Sequence, residues 1–300
     1  MVDVTLRDVV AVLESLYPPG TAADWDRVGL VAGDLDQPVR TILFALDPTL
    51  PVIDEAVRCE ADLLVTHHPL LLRGVHSVAT TTAKGASVTA LLAGGVALYV
   101  AHTNADVADP GVSTVLADAL GLTSQRPLTE IGGRPAGRVG ELPVAVPLRE
   151  FAEALADALP ATVGGMRVSG QPDAIVHRVA VMGGSGDDQF DAVRASGADV
   201  FVTADLRHHP VLEAREEARH GTPYLVDAGH WATESLWLTS ARERVLEALG
   251  EDPTPGAEPT RVVGRLSSVR TEPWTFVVGA NRAQPEPGPA RDRTDPGGAS

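Results

Sequence analysis

The chain has 300 residues, 44% of them hydrophobic and 21% charged, a water-soluble globular composition long enough for one large domain or two ordinary ones. Its formal net charge of −16, with Lys84 the single lysine and no basic cluster, repels polyanions and makes nucleic acid an unfavoured partner. The lone Cys59 excludes an intrachain disulfide and any cysteine-built metal site, and no apolar stretch reaches the roughly 18 residues of a membrane helix.

From the start, "MVDVTLRDVVAVLESL" sets Val9, Val12, Leu13 and Leu16 at helical spacing among acids. This predicts an amphipathic helix rather than a signal peptide, and with it a cytoplasmic location. "TILFALD" from Thr41, "ADLLVTH" from Ala61 and "VALYVAHTN" from Val96 are apolar on both faces, and the helical patterns "LPVIDEAVRCE" and "ASVTALLAGG" separate them. Such runs predict parallel strands covered on both sides, an α/β architecture. Cys59, at a helix end, reads as a small packed apolar residue.

"IGGRPAGRVGELPVAVPLREFAEALADALP" from Ile131 predicts a Gly/Pro-rich crossover, a short strand and a helix. The earlier pattern then returns in order. "HRVAVMGGSG" from His177 resembles "RTILFALD", "GADVFVTADLRHH" from Gly197 resembles "EADLLVTHH", and "TPYLVDAGHWATE" from Thr222 loosely matches "VALYVAHTNAD". The shared Ala-Asp-(two apolar)-Val-Thr points to two related α/β halves. "WATESLWLTSARERVLEALG" predicts one long helix and "PWTFVVG" a final strand. From Ala280 the Pro, Gly, Asp and Arg composition is too poor in aliphatics to offset ordering entropy, which predicts disorder.

The chemistry-bearing residues gather at strand ends, where open α/β sheets build sites. His67 and His68 follow the strand ending near Thr66. His102, Asn104 and Asp106 follow Ala101. His230 follows "PYLVDAG", with Glu234 four residues on, on the same helix face. Each alone has an ordinary reading: a satisfied core histidine, a helix cap at Asp106, an accidental spacing. Together, His67, His68, Asp106, His230 and Glu234 form a hard-to-borderline set suited to Zn, Mn or Fe(II). Five ligands exceed the needs of one open catalytic ion and suit two ions bridged by a carboxylate. Neighbouring His67 and His68 would each address a different ion, with Pro69 restricting His68 to extended conformations. Two such ions sharing a water would supply a hydrolytic nucleophile. No G-x-x-x-x-G-K-[ST] or G-x-S-x-G motif is present. "VMGGSG" is either an anion cradle or a tight strand-to-helix turn.

"DWDRVGL" at 24, "ADLLVTHHPL" at 61, "AHTNAD" at 101, "GADVFVTAD" at 197 and "DAGHWATE" at 227 resemble the Nif-three-like family of dinuclear-metal-centre proteins, many labelled GTP cyclohydrolase I type 2 homologues. The resemblance implies two related three-layer α/β domains with a metal site in the cleft between them. It divides the chain into residues 1–127 with 230–278, residues 128–229, and a Pro/Gly-rich tail over 279–300. It also implies a toroidal homohexamer, and two divalent ions on the same His67, His68, Asp106, His230 and Glu234. His102, opening the "HTN" motif, and His209, after the "TGD" position, become candidates for proton transfer. Two departures stand out: Thr203-Ala204-Asp205 replaces Thr-Gly-Asp, where alanine disfavours a positive φ, and an insertion that some relatives carry between the halves is missing. The expected activity is hydrolysis of a purine nucleotide such as GTP, a metal-bound hydroxide attacking the ring and formate leaving. The alternative is a non-catalytic metal-holding hexameric scaffold for a partner or single-stranded nucleic acid.

Overall fold

The computed structural model describes residues 3–251 and 261–279; the tail expected to be disordered lies, Gly279 apart, outside the described residues. The elements run α1 (Leu6–Leu16), β1 (Gly29–Ala32), β2 (Thr41–Ala45), α2 (Leu50–Arg58), β3 (Leu63–Thr66), α3 (Ala83–Gly94), β4 (Ala97–Val100), α4 (Thr103–Asp106) and α5 (Val112–Ala119). Then come β5 (Thr123–Arg126), β6 (Thr129–Ile131), β7 (Arg134–Ala136), β8 (Arg138–Pro147), α6 (Leu148–Ala158), β9 (Arg167–Ser169), β10 (Ile175–Ser185) and α7 (Phe190–Ser196). The rest are β11 (Val200–Ala204), α8 (His208–Glu217), β12 (Tyr224–Asp227), α9 (His230–Ser235), α10 (Trp237–Ala248) and β13 (Val263–Leu266).

Two sheets organise these elements. The first has the order β1-β4-β3-β2-β13, in which β1 alone is antiparallel. The second has the order β5-β8-β10-β11-β12-β9, parallel from β10 to β12 and antiparallel outside. Alternation along the strands fills both faces of each sheet. In β2, Ile42 and Phe44 join a core with Val9 and Leu13 of α1 and Trp237 and Val245 of α10, while Leu43 and Ala45 join Val52 and Ile53 of α2. In β11, Val200 and Val202 pack with Phe151 and Leu155 of α6, and Phe201 packs with Phe190 of α7. Both lobes are therefore three-layered, as the doubly apolar strands predicted. Among the described residues, no helix is long and apolar enough to cross a membrane.

The sequence repeat has a physical basis. Asp62, just before β3, accepts hydrogen bonds from the backbone N–H groups of Arg40 and Thr41 at 2.7 and 2.9 Å. Asp199, just before β11, accepts from His177 and Arg178 at 2.9 and 2.8 Å. Each carboxylate staples the middle strand to the head of its neighbour. Two residues earlier the chain turns through a left-handed residue in both copies, Glu60 at φ 54° and Gly197 at φ 71°.

Helix α1 begins where the sequence offers a capping box, Thr5 and Asp8 each accepting the other's backbone N–H. Elsewhere the structure departs from expectation. The strand after the crossover is not short: β8 runs ten residues, and a hairpin of β6 and β7 precedes it. The long helix after Gly229 is divided into α9 and α10, where the Ser235 hydroxyl donates back to the Ala232 carbonyl and competes with the helical ladder. "PWTFVVG" forms no strand; among the described residues β13 is the last one, and it pairs with β2 through backbone at Val263–Leu266. Strand pairing also places β5 in the second sheet, ahead of the proposed boundary at 127, and α9 packs against β10 and β11.

Candidate metal centre

The carboxyl ends of β3, β4 and β12 converge between the lobes. His67, wholly buried, leaves β3 with His68; α4 carries Asp106 after β4; α9 carries His230 and Glu234 after β12. The spacing of His230 and Glu234 puts both on one helical face, with His230 Nε2 3.1 Å from Glu234 Oε1. His68 Nε2 lies 3.1 Å from Glu234 Oε2 and 3.3 Å from His230 Nε2. His67 Nε2 lies 3.6 Å from both Asp106 Oδ1 and Glu234 Oε1. The rings of His67 and His68 stand side by side, centroids 4.9 Å apart, and face different oxygens of one carboxylate.

The other nitrogen of each ring is held from behind. His67 Nδ1 is 2.9 Å from the Ala101 carbonyl, His68 Nδ1 is 2.8 Å from Asp47 Oδ1, and His230 Nδ1 is 2.8 Å from Asp205 Oδ2. Acceptors at Nδ1 fix its proton there and turn the Nε2 lone pair inward, the arrangement that surrounds metal-ligating histidines. Three inward lone pairs around a carboxylate repel unless a cation or protons lie between them. Consistent with that, His67 Nε2 and Glu234 Oε2 are buried without a hydrogen-bond partner of acceptable geometry. Two atoms bonded to one tetrahedral ion at about 2.0–2.1 Å stand about 3.3 Å apart. His68, His230 and Glu234 already have that spacing, and among the described residues their ligand atoms form one of two groups able to hold a metal ion; His67, His68 and His102 form the other.

Without a cation, protons take its place. Burial disfavours the charged rings, but the hydrogen bonds they donate to Asp47 and Glu234 raise His68 to about 9, and those donated to Asp205 and Glu234 raise His230 to about 10. Burial pushes the Glu234 carboxyl upward, and the three surrounding imidazoles outweigh it, holding Glu234 well below the usual range. Asp106, by contrast, is raised, chiefly by burial. A site that gathers protons on its nitrogens in this way binds a cation by releasing them.

His102 joins the cluster, its ring 5.1 Å from that of His67, and its Nδ1 is 3.0 Å from Asp26 Oδ1. Asp26 also accepts from the Thr103 amide and hydroxyl; burial opposes its charge, yet these bonds keep it ionised far below the normal range. Asn104 is structural: buried, it donates to the Tyr17 carbonyl and accepts from the His102 amide. His209 is not gathered in. It is exposed on the first turn of α8, against His208, and does not line the cleft.

Sequence reading missed the three holders Asp26, Asp47 and Asp205. Asp47 ends "TILFALD" and Asp26 lies in "DWDRVGL", so their positions were visible but their partners were not. The concern over Ala204 resolves simply: Ala204 ends β11, and the left-handed residue is Asp205, φ 55°, a type that tolerates it. "VMGGSG" serves close packing. Gly184 has φ +68°, its amide donates to Thr233 Oγ1, and a Cβ there would collide with Glu234 Oε1.

Known proteins resemble this chain in both sequence and fold. A GTP cyclohydrolase 1 type 2 homolog of Streptomyces coelicolor is 50% identical over 281 residues, covering 91% of this chain and 94% of the relative. One of Mycobacterium tuberculosis is 33% identical over 382 aligned positions, more than this chain contains, and covers 91% and 97% respectively. Among solved structures, a Bacillus cereus protein related to NIF3 superposes with a TM-score of 0.81 at 24% identity, over 92% of this chain and 100% of that one. A hypothetical protein of Staphylococcus aureus gives 0.80 at 25%, again over 92% and 100%. The description Duf34/NIF3 (NGG1p interacting factor 3) matches residues 4–254, and the chain is a member of that family.

Proposed function

We propose that the protein is a dinuclear metal-dependent hydrolase acting on the ring of a purine nucleotide such as GTP, with His67, His68, Asp106, His230 and Glu234 as ligands. One observation carries the reading: three imidazoles, each with Nδ1 held by an acceptor, turn Nε2 toward one buried carboxylate. Two divalent ions of the Zn, Mn or Fe(II) type would there supply Lewis-acid activation of water and of the bond it attacks. Asp47, Asp205 and the Ala101 carbonyl keep the three rings in one tautomer and orientation. His102, held at Nδ1 by Asp26, carries a proton at Nε2 between substrate and solvent.

The names of the relatives support GTP as substrate, and a cavity of about 650 Å³ lined by His102, Asp106, His230 and Glu234 has room for a nucleotide. Incubating protein loaded with Zn, Mn or Fe(II) with GTP should release formate. No formate with any of the three ions would remove this substrate and leave the scaffold alternative. We extend the proposal to a cytoplasmic protein that assembles as a homohexamer; the assembly is supported by the apolar surface of Trp274, Phe276 and Val278, which are 70%, 76% and 83% exposed. A mass near one chain in light scattering would overturn that extension.

A further inference from the structure

The cavity extends well past the candidate ligands, and Trp25 and Arg134 lie on its wall. Trp25 lines it while 59% exposed. Its position is nevertheless fixed: the next residue, Asp26, is bonded to His102 and Thr103, and the indole meets the His102 ring edge-to-face at 5.9 Å. A rigidly seated aromatic face beside the reacting groups is a stacking platform. Arg134, on the β6–β7 hairpin, is the one arginine or lysine among the residues lining the cavity. Its guanidinium makes no ion pair or hydrogen bond among the described residues, although Asp24, Asp106, Asp188 and Glu234 line the same space. Five donors in a planar fork thus remain available to an incoming anion.

We propose that Trp25 and Arg134 determine the specificity of this site, Trp25 by stacking on a planar base and Arg134 by binding the phosphate of a nucleoside phosphate. The inference rests on the hydrolase reading for the reacting end of the ligand; its own content is the recognition of the two ends that do not react. Calorimetric titration of the full-length, metal-loaded protein with guanosine, GTP and inorganic triphosphate tests it. Trp25→Ala should weaken guanosine and GTP alike, on the order of tenfold, with Trp25→Phe recovering most of the loss. Arg134→Gln should weaken GTP and triphosphate on the order of tenfold and leave guanosine unchanged. Metal content should be equal in all of them. If Trp25→Ala itself loses metal, Trp25→Leu, which fills the space without a π face, takes its place. Guanosine binding that is absent, or indifferent to loss of the indole, overturns the proposal, as does GTP binding indifferent to Arg134→Gln. These affinity changes without formate release would sink the hydrolase reading and leave the recognition assignment standing.

Discussion

The β2–β3–β4 half and the β10–β11–β12 half share a scaffold and differ in chemistry. Both run parallel, both bury the middle strand on both faces, and both staple it with an aspartate, Asp62 or Asp199. At the third strand both exit into a short helix with a histidine at its start and, four residues later, a carboxylate: His102, just before α4, and Asp106 in one, His230 and Glu234 of α9 in the other. The middle strand is where they part. One continues into His67-His68, the other into Ala204-Asp205, and Asp205 now holds the imidazole of His230 as Asp47 holds that of His68. The scaffold tolerates either ending because the staples and the buried runs lie at the opposite end of the strands. The lesson is that stability and reactivity are separated along each strand.

Substitution can break that comparison. The largest effect should come from the two corresponding carboxylates. Glu234 is in ion-pair contact with His67, His68 and His230, whereas among the described residues Asp106 makes such a contact with His67 and feels His68 and His102 from farther off. Glu234→Ala should therefore lose nearly all bound metal and Asp106→Ala a smaller share, read by elemental analysis; equal losses would contradict the asymmetry. Acidity comes next. In the metal-free protein His68 and His230 titrate at about 9 and about 10, above the roughly 6.5 of a free imidazole. Their protons stabilise that form fully below about pH 6.5, and the contribution fades as pH rises through the folded values. Cation and protons compete, so zinc affinity should climb with pH by up to roughly tenfold per unit for each proton displaced. A chelator competition that is flat between about pH 7 and about pH 9 would mean that neither ring gives up a proton.

A narrower effect sharpens the comparison of the holders. Asp47→Asn and Asp205→Asn should each weaken metal binding by roughly 10–100-fold without abolishing it. Indifference in both would show that the second ring nitrogen is irrelevant. The smallest effect should be purely structural: Asp62→Ala and Asp199→Ala each orphan two backbone N–H groups, costing about 1–3 kcal/mol in chemical denaturation with metal content unchanged.

How much of this was legible depended on range. Strands such as "TILFALD" announce themselves because burial on both faces demands unbroken aliphatics, and the five candidate ligands lie beside strand ends that the same reading locates. The repeat was visible through Ala-Asp because the staple needs that residue at that position. What stayed hidden was pairing across the chain. Nothing local to Asp26 says that it meets His102 76 positions later. "PWTFVVG" failed as a strand for a related reason: its apolar letters fit a sheet, but no strand edge among the described residues takes them. Conversely, Gly264 and Arg265 make β13 look weak, yet the open edge of β2 accepts its backbone.

The late position of β13 sets an order of assembly. Every other strand of the first sheet is complete by Val100, but the edge beside β2 is filled only by Val263–Leu266, and Thr271 then reaches back to hydrogen-bond Asp47, which holds His68. A polypeptide leaving the ribosome cannot finish its first lobe until the whole of the second has emerged. The centre therefore matures last, and His67 and His68 of a half-made chain wait without the carboxylate of Glu234 beside which they would keep a cation.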